Sequence, residues 1–344
     1  MKEKEPLFGK TVSELKEICS KAGLPSYSAR QIAKWLYGKD ISSISQMTDL
    51  SLKHREVLSE SYDYGLVPPV DCAVSSDGTR KYLYKYNAND YVEAVMIPDR
   101  ERVTLCVSTQ IGCRMNCAFC ATARQGFKRN LTCSQILNII RSLPEFHRIT
   151  NIVYMGMGEP LDNYANVKKS IEVLTEQWGF GFSPRRITLS TSGYIPFLKE
   201  FLEETDVHLA VSLHSPFPEQ RKEIMPVEKT YKMEDVIKLL KRYDWTGQRR
   251  LTFEYILFKG FNDRKQHALG LVRLLGNLPC RINIIPFHSI PDSPFCGADM
   301  QDMQNFRDFL SAKGLTCTIR ASRGQDILAA CGLLSTKKIM ENGK

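Results

Sequence analysis

From Val103 onward the chain alternates. Strand-like runs TLCVST, NIVYMGMG, RITLSTSG, HLAVSLHS, LTFEYILF and RINIIPFHS are each followed by a helical stretch: CSQILNIIRSL, ANVKKSIEVLTEQ, IPFLKEFLEE, MEDVIKLLKRYD, KQHALGLVRLLG and DMQNFRDFLSAKG. Parallel strands need long crossovers, usually helical, so six such units predict a parallel sheet with helices outside it. Six are fewer than the eight of a closed barrel, and the expected fold class is α/β, a partial (β/α)6 barrel. An open doubly wound sheet is the alternative. Unusual residues gather just after the strands: cysteines after TLCVST, GMGEP after NIVYM, STSG after RITL, SLHS after HLAV and PFHS after RINII. In parallel α/β folds sites assemble at that strand edge, which favours the curved form.

The region before the barrel reads differently. Residues 1–65 form an expected helical accessory domain. TVSELKEICSKAG has a capping box in Thr11 and Glu14 and a stop in Gly23, and SARQIAKWLYGK repeats the logic with Ser28 and Gln31. SLKHREVLSESY supplies a third helix. Residues 66–98 read as a β-rich linker, with tight turns at Asp77-Gly78 and over Asn87 to Asp90. The core is expected over 99–331 and a tail over 332–344. The opening MKEKEPLFGKTVSELKE has no apolar segment of a secretory signal, and no run approaches the roughly 18 apolar residues of a membrane span. The expected location is the cytoplasm. A net charge of +9 permits a polyanionic partner without requiring one.

Eleven cysteines, an odd number at irregular spacing, argue against a disulfide framework. The stretch CRMNCAFC sets Cys113, Cys117 and Cys120 at spacings of four and three. Zinc wants a fourth ligand, and neither Cys106 nor Cys133 continues the loop in a zinc-like pattern. An iron–sulfur cluster held by three thiolates fits better and leaves one iron open, as catalytic centres require. Gly156 and Gly158 remove side chains where backbone could approach a ligand. Ser190, Ser212, His214 and His288 offer polar groups at strand ends; taken singly, each also reads as an ordinary loop residue.

CxxxCxxC after the first barrel strand resembles the signature of the radical S-adenosylmethionine enzymes. The likeness extends to YVEAVMIP, TLCVSTQIGCRMNCAFCATARQGFKRNLT, YMGMGEPL, RRITLSTSG, SLHSP, IIPFHSIP and SRGQDILAACG, which together resemble the RlmN/Cfr family, and within it the adenine carbon-2 RNA methyltransferases. That resemblance implies a radical-SAM barrel with one [4Fe-4S] cluster on Cys113, Cys117 and Cys120. It also implies two molecules of S-adenosyl-L-methionine per turnover. One methylates Cys331; the other is cleaved to a 5′-deoxyadenosyl radical that abstracts hydrogen from the S-methyl group. The carbon radical adds to carbon 2 of adenine, Glu93 removes the carbon-2 proton, and Cys106 resolves the protein–RNA adduct by forming a disulfide. Gly158, Glu159, Ser190, Ser212, Leu213, His214 and His288 map onto cofactor contacts, with Glu159 placed to accept from the ammonium group. His288 departs from the asparagine commonly expected. The implied partners are 23S rRNA, in some members tRNA, and an electron donor such as a flavodoxin-type reductase system. A monomer suffices.

Arg30, Lys34, Arg80, Lys81, Lys128 and Arg129 are candidates for phosphate contact, and Trp35 reads as helix packing. The nearest rival is the Cfr-type carbon-8 enzyme, against which the proline of MGMGEP counts. A non-catalytic iron–sulfur RNA-binding protein, needing neither Cys106 nor Cys331, is the rival of another class. A zinc module is a third.

Overall fold

The computed structural model describes residues 4–290 and 293–334. The part of the expected tail from 335 on, and Pro291 of IIPFHSIP, lie outside the described residues.

The N-terminal unit contains β1 (Glu5–Pro6), α1 (Val12–Lys21), α2 (Ser28–Gly38), α3 (Leu52–Ser61) and β2 (Tyr62–Asp63). β1 and β2 pair in parallel and tie its two ends together. The Thr11–Glu14 capping box forms, which supplies partners for backbone groups at the start of α1. The second expected box does not. Tyr27 is the N-cap of α2, Ser28 is buried in its first turn, and Gln31 donates instead to the Asp49 carbonyl. The Pro25–Ser28 turn, closed by a 2.9 Å bond from Ser28 N to Pro25 O, starts the helix without a side-chain cap. Trp35 packs on the core as expected, its indole N–H donating to Asp49.

The remainder runs β3 (Asp71–Val74), β4 (Arg80–Asn87), β5 (Asp90–Asp99), β6 (Arg102–Cys106), β7 (Gln110–Gly112), α4 (Ala121–Arg124), β8 (Phe127–Asn130), α5 (Cys133–Arg141), β9 (Asn151–Tyr154), α6 (Tyr164–Thr175), β10 (Ile187–Thr191), α7 (Leu198–Glu204) and β11 (His208–Ser212). It continues through α8 (Pro218–Ile224), α9 (Met233–Leu240), β12 (Leu251–Leu257), α10 (Lys265–Leu275), β13 (Arg281–Pro286), α11 (Met300–Ala312) and β14 (Thr316–Ile319). One sheet has the order β14-β13-β12-β11-β10-β9-β6-β5-β4-β3. It is parallel from β14 to β6 and antiparallel from β6 to β3. The six expected βα units are present in order. Among the described residues no helix is long and apolar enough to cross a membrane.

Two features differ from expectation. First, β14 is a seventh parallel strand; TCTI is short, lies at the sheet edge and buries only Cys317 fully, so it carries little periodic signal. Second, β3–β5 are not a separate linker but a continuation of the barrel sheet. Their tyrosines explain the attachment: Tyr84 donates to the Ile139 carbonyl and Tyr86 to the Gln135 carbonyl, both on α5. The N-terminal unit docks on the same side through Phe8, Tyr37, Trp178 and Phe180, with ring centroids 5.3–6.4 Å apart. A 2.5 Å Lys169–Glu14 ion pair lies at its edge.

A partial barrel leaves an open side, and the chain after β14 returns across it. Gly324 N donates to Asp77 Oδ2 at 2.9 Å, Ser75 Oγ to Asp326 Oδ1 at 2.6 Å, and Ser76 N to Asp326 Oδ2 at 3.1 Å. Gly324 is required: its φ is +62°, and a Cβ there would lie 2.8 Å from Thr79 Cγ2 and 2.9 Å from Ala329 Cβ. Beyond this clasp, Ala121 N donates to Gly332 O at 2.8 Å and Thr122 Oγ1 to Leu334 O at 2.6 Å. Cys331 is thus held between two anchors, the β3–β4 turn and the start of α4.

Burial alone would raise the Asp77 carboxyl, but hydrogen bonds from Thr79, Gly324 and Ser75 outweigh it and hold it at about 2, below the ordinary aspartate value of 3.8. Its contribution is complete above pH 3.8 and is lost as pH falls through 2. Asp77→Ala with Asp326→Ala should raise the alkylation rate of Cys331 severalfold at neutral pH, while the rate of buried Cys133, away from this clasp, stays at its wild-type value. Quantitative peptide mass spectrometry after timed iodoacetamide labelling checks both.

Candidate active site

The barrel encloses a cavity of about 580 Å³. Cys113, Cys117 and Cys120 line one end of it, and Thr104, Thr188 and Thr252 line the wall toward the N-terminal ends of the strands. The cysteine loop is pinned at its base by the β7–β8 hairpin, with Cys113 N donating to Gly126 O at 3.2 Å. Its middle is fastened by Ala118 N to Ile224 O at 2.9 Å. Burial pushes all three thiols up, Cys113 to about 12. Among the described residues no three His, Cys, Asp or Glu side chains stand as a ready-made metal group. The donor chemistry nevertheless fits an iron–sulfur cluster. Three sulfurs from one loop face one cavity, and thiolates buried this deeply are tolerated where a metal balances their charge.

The expected cofactor contacts fall mostly on the same wall. Gly158, Glu159, Ser190, Ser212, His214 and His288 line the cavity. Glu159 Oε2 accepts from Ser192 N at 2.7 Å and Oε1 from Leu161 N at 3.2 Å. Burial raises its carboxyl against those bonds. A carboxylate has about four acceptor sites, so capacity remains for a ligand ammonium. Burial, with the Arg221 charge adding to it, drives the His214 imidazole down to about 3. Its Nδ1 accepts from Ile256 N at 3.0 Å, which leaves the proton of the neutral ring on Nε2. His288 Nε2 lies 2.8 Å from Ser322 Oγ, and burial lowers its pKa. Leu213 stands apart. Its side chain is in the core, its N–H bonds Glu254 O and its carbonyl accepts from Arg221, so it faces away from the cavity.

Gly156 and Gly158 line the cavity, and packing gives them a second reason to lack a side chain. A Cβ on Gly156 would lie 2.6 Å from Ser108 Oγ, and one on Gly158 would lie 2.5 Å from Gln110 Cβ. The close approach they permit is to the chain leaving β6.

Cys106 and Cys331 both line the cavity and are both free thiols. Burial first, and then Cys331, push Cys106 up to about 12. Cys331 also packs against the apolar cluster that contains Cys113 and Phe119, beside the cysteine loop. Glu93 is buried on β5, two residues before Val95, the cross-strand partner of Cys106. It therefore shares a sheet face with Cys106 and is not on a solvent face. Its Oε1 is 3.1 Å from Lys81 Nζ, which also donates to Leu328 O in the returning strap at 3.4 Å.

The basic candidates divide. Arg80 pairs with Glu145, Lys81 with Glu93, and Lys128 and Arg129 with Asp90, whereas Arg30 and Lys34 are exposed on α2. Two further arginines matter. Arg221 is 1% exposed and donates to the carbonyls of Leu213, Ser192 and Ser212 while pairing with Glu228. It binds the ends of β10 and β11 together behind the cofactor wall. Arg320, directly after β14, donates to Met155 Sδ at 3.7 Å, and the charge of Cys331 favours its protonated form. Spacing offers no signal for either.

The family model of the radical SAM superfamily matches residues 107–272. The "Ribosomal RNA large subunit methyltransferase N-terminal domain" matches residues 6–63. The chain is 54% identical over 341 residues to a Bacteroides fragilis (strain YCH46) protein described as a probable dual-specificity RNA methyltransferase RlmN, covering 99% of each. It is 44% identical over 335 residues to the dual-specificity RNA methyltransferase RlmN of Syntrophus aciditrophicus (strain SB), covering 96% of each. A crystal structure of a radical SAM methyltransferase from Sphaerobacter thermophilus superposes with a TM-score of 0.89 at 37% identity, over 96% of this chain and 98% of that one. The chain belongs to the RlmN family of the radical SAM superfamily. Membership carries with it a [4Fe-4S] cluster and S-adenosylmethionine.

Replacing Arg221 by Met should cost about 3–5 kcal/mol, because it strands a buried carboxylate and three carbonyls. Adding Glu228→Gln should recover part of that loss. Equilibrium urea unfolding of the two variants measures both numbers.

Proposed function

We propose that this member of the RlmN family methylates carbon 2 of an adenosine in 23S ribosomal RNA, with a tRNA adenosine as second substrate, through an S-methylated Cys331 and a transient Cys106–Cys331 disulfide. The observation that carries this reading is that the strap holds Cys331 on the wall of the one cavity that Cys106 and the three cluster-loop cysteines also line. The match of the N-terminal unit to a ribosomal RNA methyltransferase domain and the dual specificity named for the relatives support the two RNA classes. A flavodoxin-type electron source, a monomeric state and a cytoplasmic location belong to the same reading.

Held by Cys113, Cys117 and Cys120, the cluster with its bound S-adenosylmethionine would supply one-electron chemistry that activates an S-methyl group for attack on an electron-poor carbon. The chain's own residues do the rest. Cys331 takes a methyl group as a nucleophile, with the Arg320 guanidinium lining the same cavity. Its methyl carbon becomes bonded to carbon 2 of the adenine. Glu93, oriented by Lys81, takes the carbon-2 proton. Cys106 then attacks the Cys331 sulfur: an S–S bond forms, the S–C bond breaks, and the released methylene takes a proton to become the methyl group. Thiol–disulfide chemistry thus releases the product and leaves a bond that a cellular thiol can reduce.

Nucleoside mass spectrometry after an anaerobic reaction with reconstituted protein, S-adenosylmethionine, a reductant and a 23S rRNA fragment should find 2-methyladenosine. Cys331→Ala should abolish it, and Cys106→Ala should accumulate a covalent protein–RNA species. Carbon-8 methylation would transfer the chain to the sister activity. No methylation, with the cluster intact and a control enzyme active, would sink the reading.

A further inference from the structure

We propose that the arginine-rimmed end of the cavity admits a small anionic thiol that reduces the Cys106–Cys331 disulfide between turnovers; this rests on the disulfide of the preceding section. Near the cysteine loop the cavity is roofed. Phe119 lines it and packs on Phe258, which in turn packs on Phe287 and Phe295 behind the wall, all at tilted angles with centroids 4.9–5.9 Å apart. At the other end the wall is polar and wet: Arg102 and Arg281 are exposed, and Thr104, Thr188 and Thr252 are half-buried. Arg323 stands at this rim, 3.5 Å from Asp99.

Arg102, Thr104 and Cys106 alternate along β6, so their side chains share the face turned to the cavity. Arg102 Nε donates to Thr104 Oγ1 at 3.1 Å, which bends the guanidinium up the strand toward Cys106. Two residues of strand span about 6.6 Å, so an anion held beside Thr104 lies one short thiol's length from the Cys106 level. Four arginines, at 102, 281, 320 and 323, face two carboxylates, Asp99 and Glu254, along this part of the wall. The balance is positive and selects an anion. A protein dithiol is excluded for a different reason: Cys106 is only 7% exposed and lies inside the barrel.

The chemistry balances with two thiols. The first, as thiolate, attacks Cys106 Sγ; the Cys106–Cys331 bond breaks, and Cys331 leaves as a thiolate next to Arg320. A second thiolate attacks the outer sulfur of the mixed disulfide and frees Cys106. The small molecule becomes its own disulfide, giving up two electrons, and its thiol protons end on the two cysteines.

The test uses the full chain with its cluster reconstituted. One equivalent of diamide installs the disulfide, and peptide mass spectrometry verifies it. Reduction rates are then measured with 2-mercaptoethanesulfonate, 2-mercaptoethanol and 2-aminoethanethiol, which share a carbon spacing and carry negative, zero and positive charge. Each rate is normalised to thiolate concentration and to reaction with a small reference disulfide. The anionic thiol should lead the cationic one by roughly tenfold at low salt, the margin shrinking at high ionic strength. Arg102→Gln with Arg281→Gln should erase the order, and Arg102→Lys with Arg281→Lys should retain it. An order absent from wild type, or surviving in the Gln variant, overturns the entry site alone. If no Cys106–Cys331 disulfide can be formed, the proposed reaction fails and the entry site falls with it.

Discussion

The arrangement of this site depends on closing a sheet that does not close itself. Parallel βα units curl, but six of them and an edge strand stop short of a full barrel and leave a gap on one side. An open side would expose polar interior and strand edges to water. Here the segment after β14 spans the gap and is fixed at both ends by hydrogen bonds, to Asp77, Ser75 and Ser76 at one and to the start of α4 at the other. The reactive thiol is part of the closure. A cysteine at the end of a free tail would sample many positions, whereas this one loses that freedom to contacts outside the site.

The same closure sets the electrostatics. Inside the barrel, burial is the leading influence on Cys106, Cys113, Cys117, Cys120, Glu159 and His214, and in each case it favours the neutral form. Charge is admitted only with a partner: Arg221 with Glu228, Glu93 with Lys81, and Arg320 near Glu254 and the two thiols. Asn283 donates to Glu254 at 3.0 Å and completes that group. Neutral walls with a few fixed charges suit chemistry that generates a reactive carbon, since they keep bulk water and stray protons away.

How much of this was legible depends on range along the chain. The βα alternation, the Thr11 cap and the turns at Gly78 and Asn87–Asp90 are local, and each appears where the residues predict it. The five strand ends singled out in the sequence carry their unusual residues into the cavity wall because side-chain alternation is also local. What the sequence did not disclose is non-local. Nothing in YVEAVMIP says that Glu93 is buried beside Lys81, or in TCTI that it pairs with β13. Ser28 looks like a cap until the Pro25 turn buries it. Gly156 and Gly158 carry the residue type expected of a ligand loop, but the sequence does not show that Ser108 and Gln110 also lie against them. Arg221 carries no signal in the sequence, since arginine is rarely buried, and its place is set by three converging carbonyls from distant parts of the chain.

One chain of contacts links these levels. Lys81 lies on β4, in the region read as a linker, and touches both the Glu93 carboxylate and the Leu328 carbonyl of the strap. Its charge therefore ties the acid directly to the segment that carries Cys331. Ser108 adds a second link, donating to the Glu93 carbonyl at 2.6 Å while accepting from Met157 N at 2.8 Å. Movement of the strap is coupled by Lys81 to Glu93, and through Ser108 to the turn that carries Glu159. The antiparallel extension β3–β5 is thus the part of the fold that keeps acid, thiols and cofactor wall in one register. A bare parallel half-barrel has no element in that place.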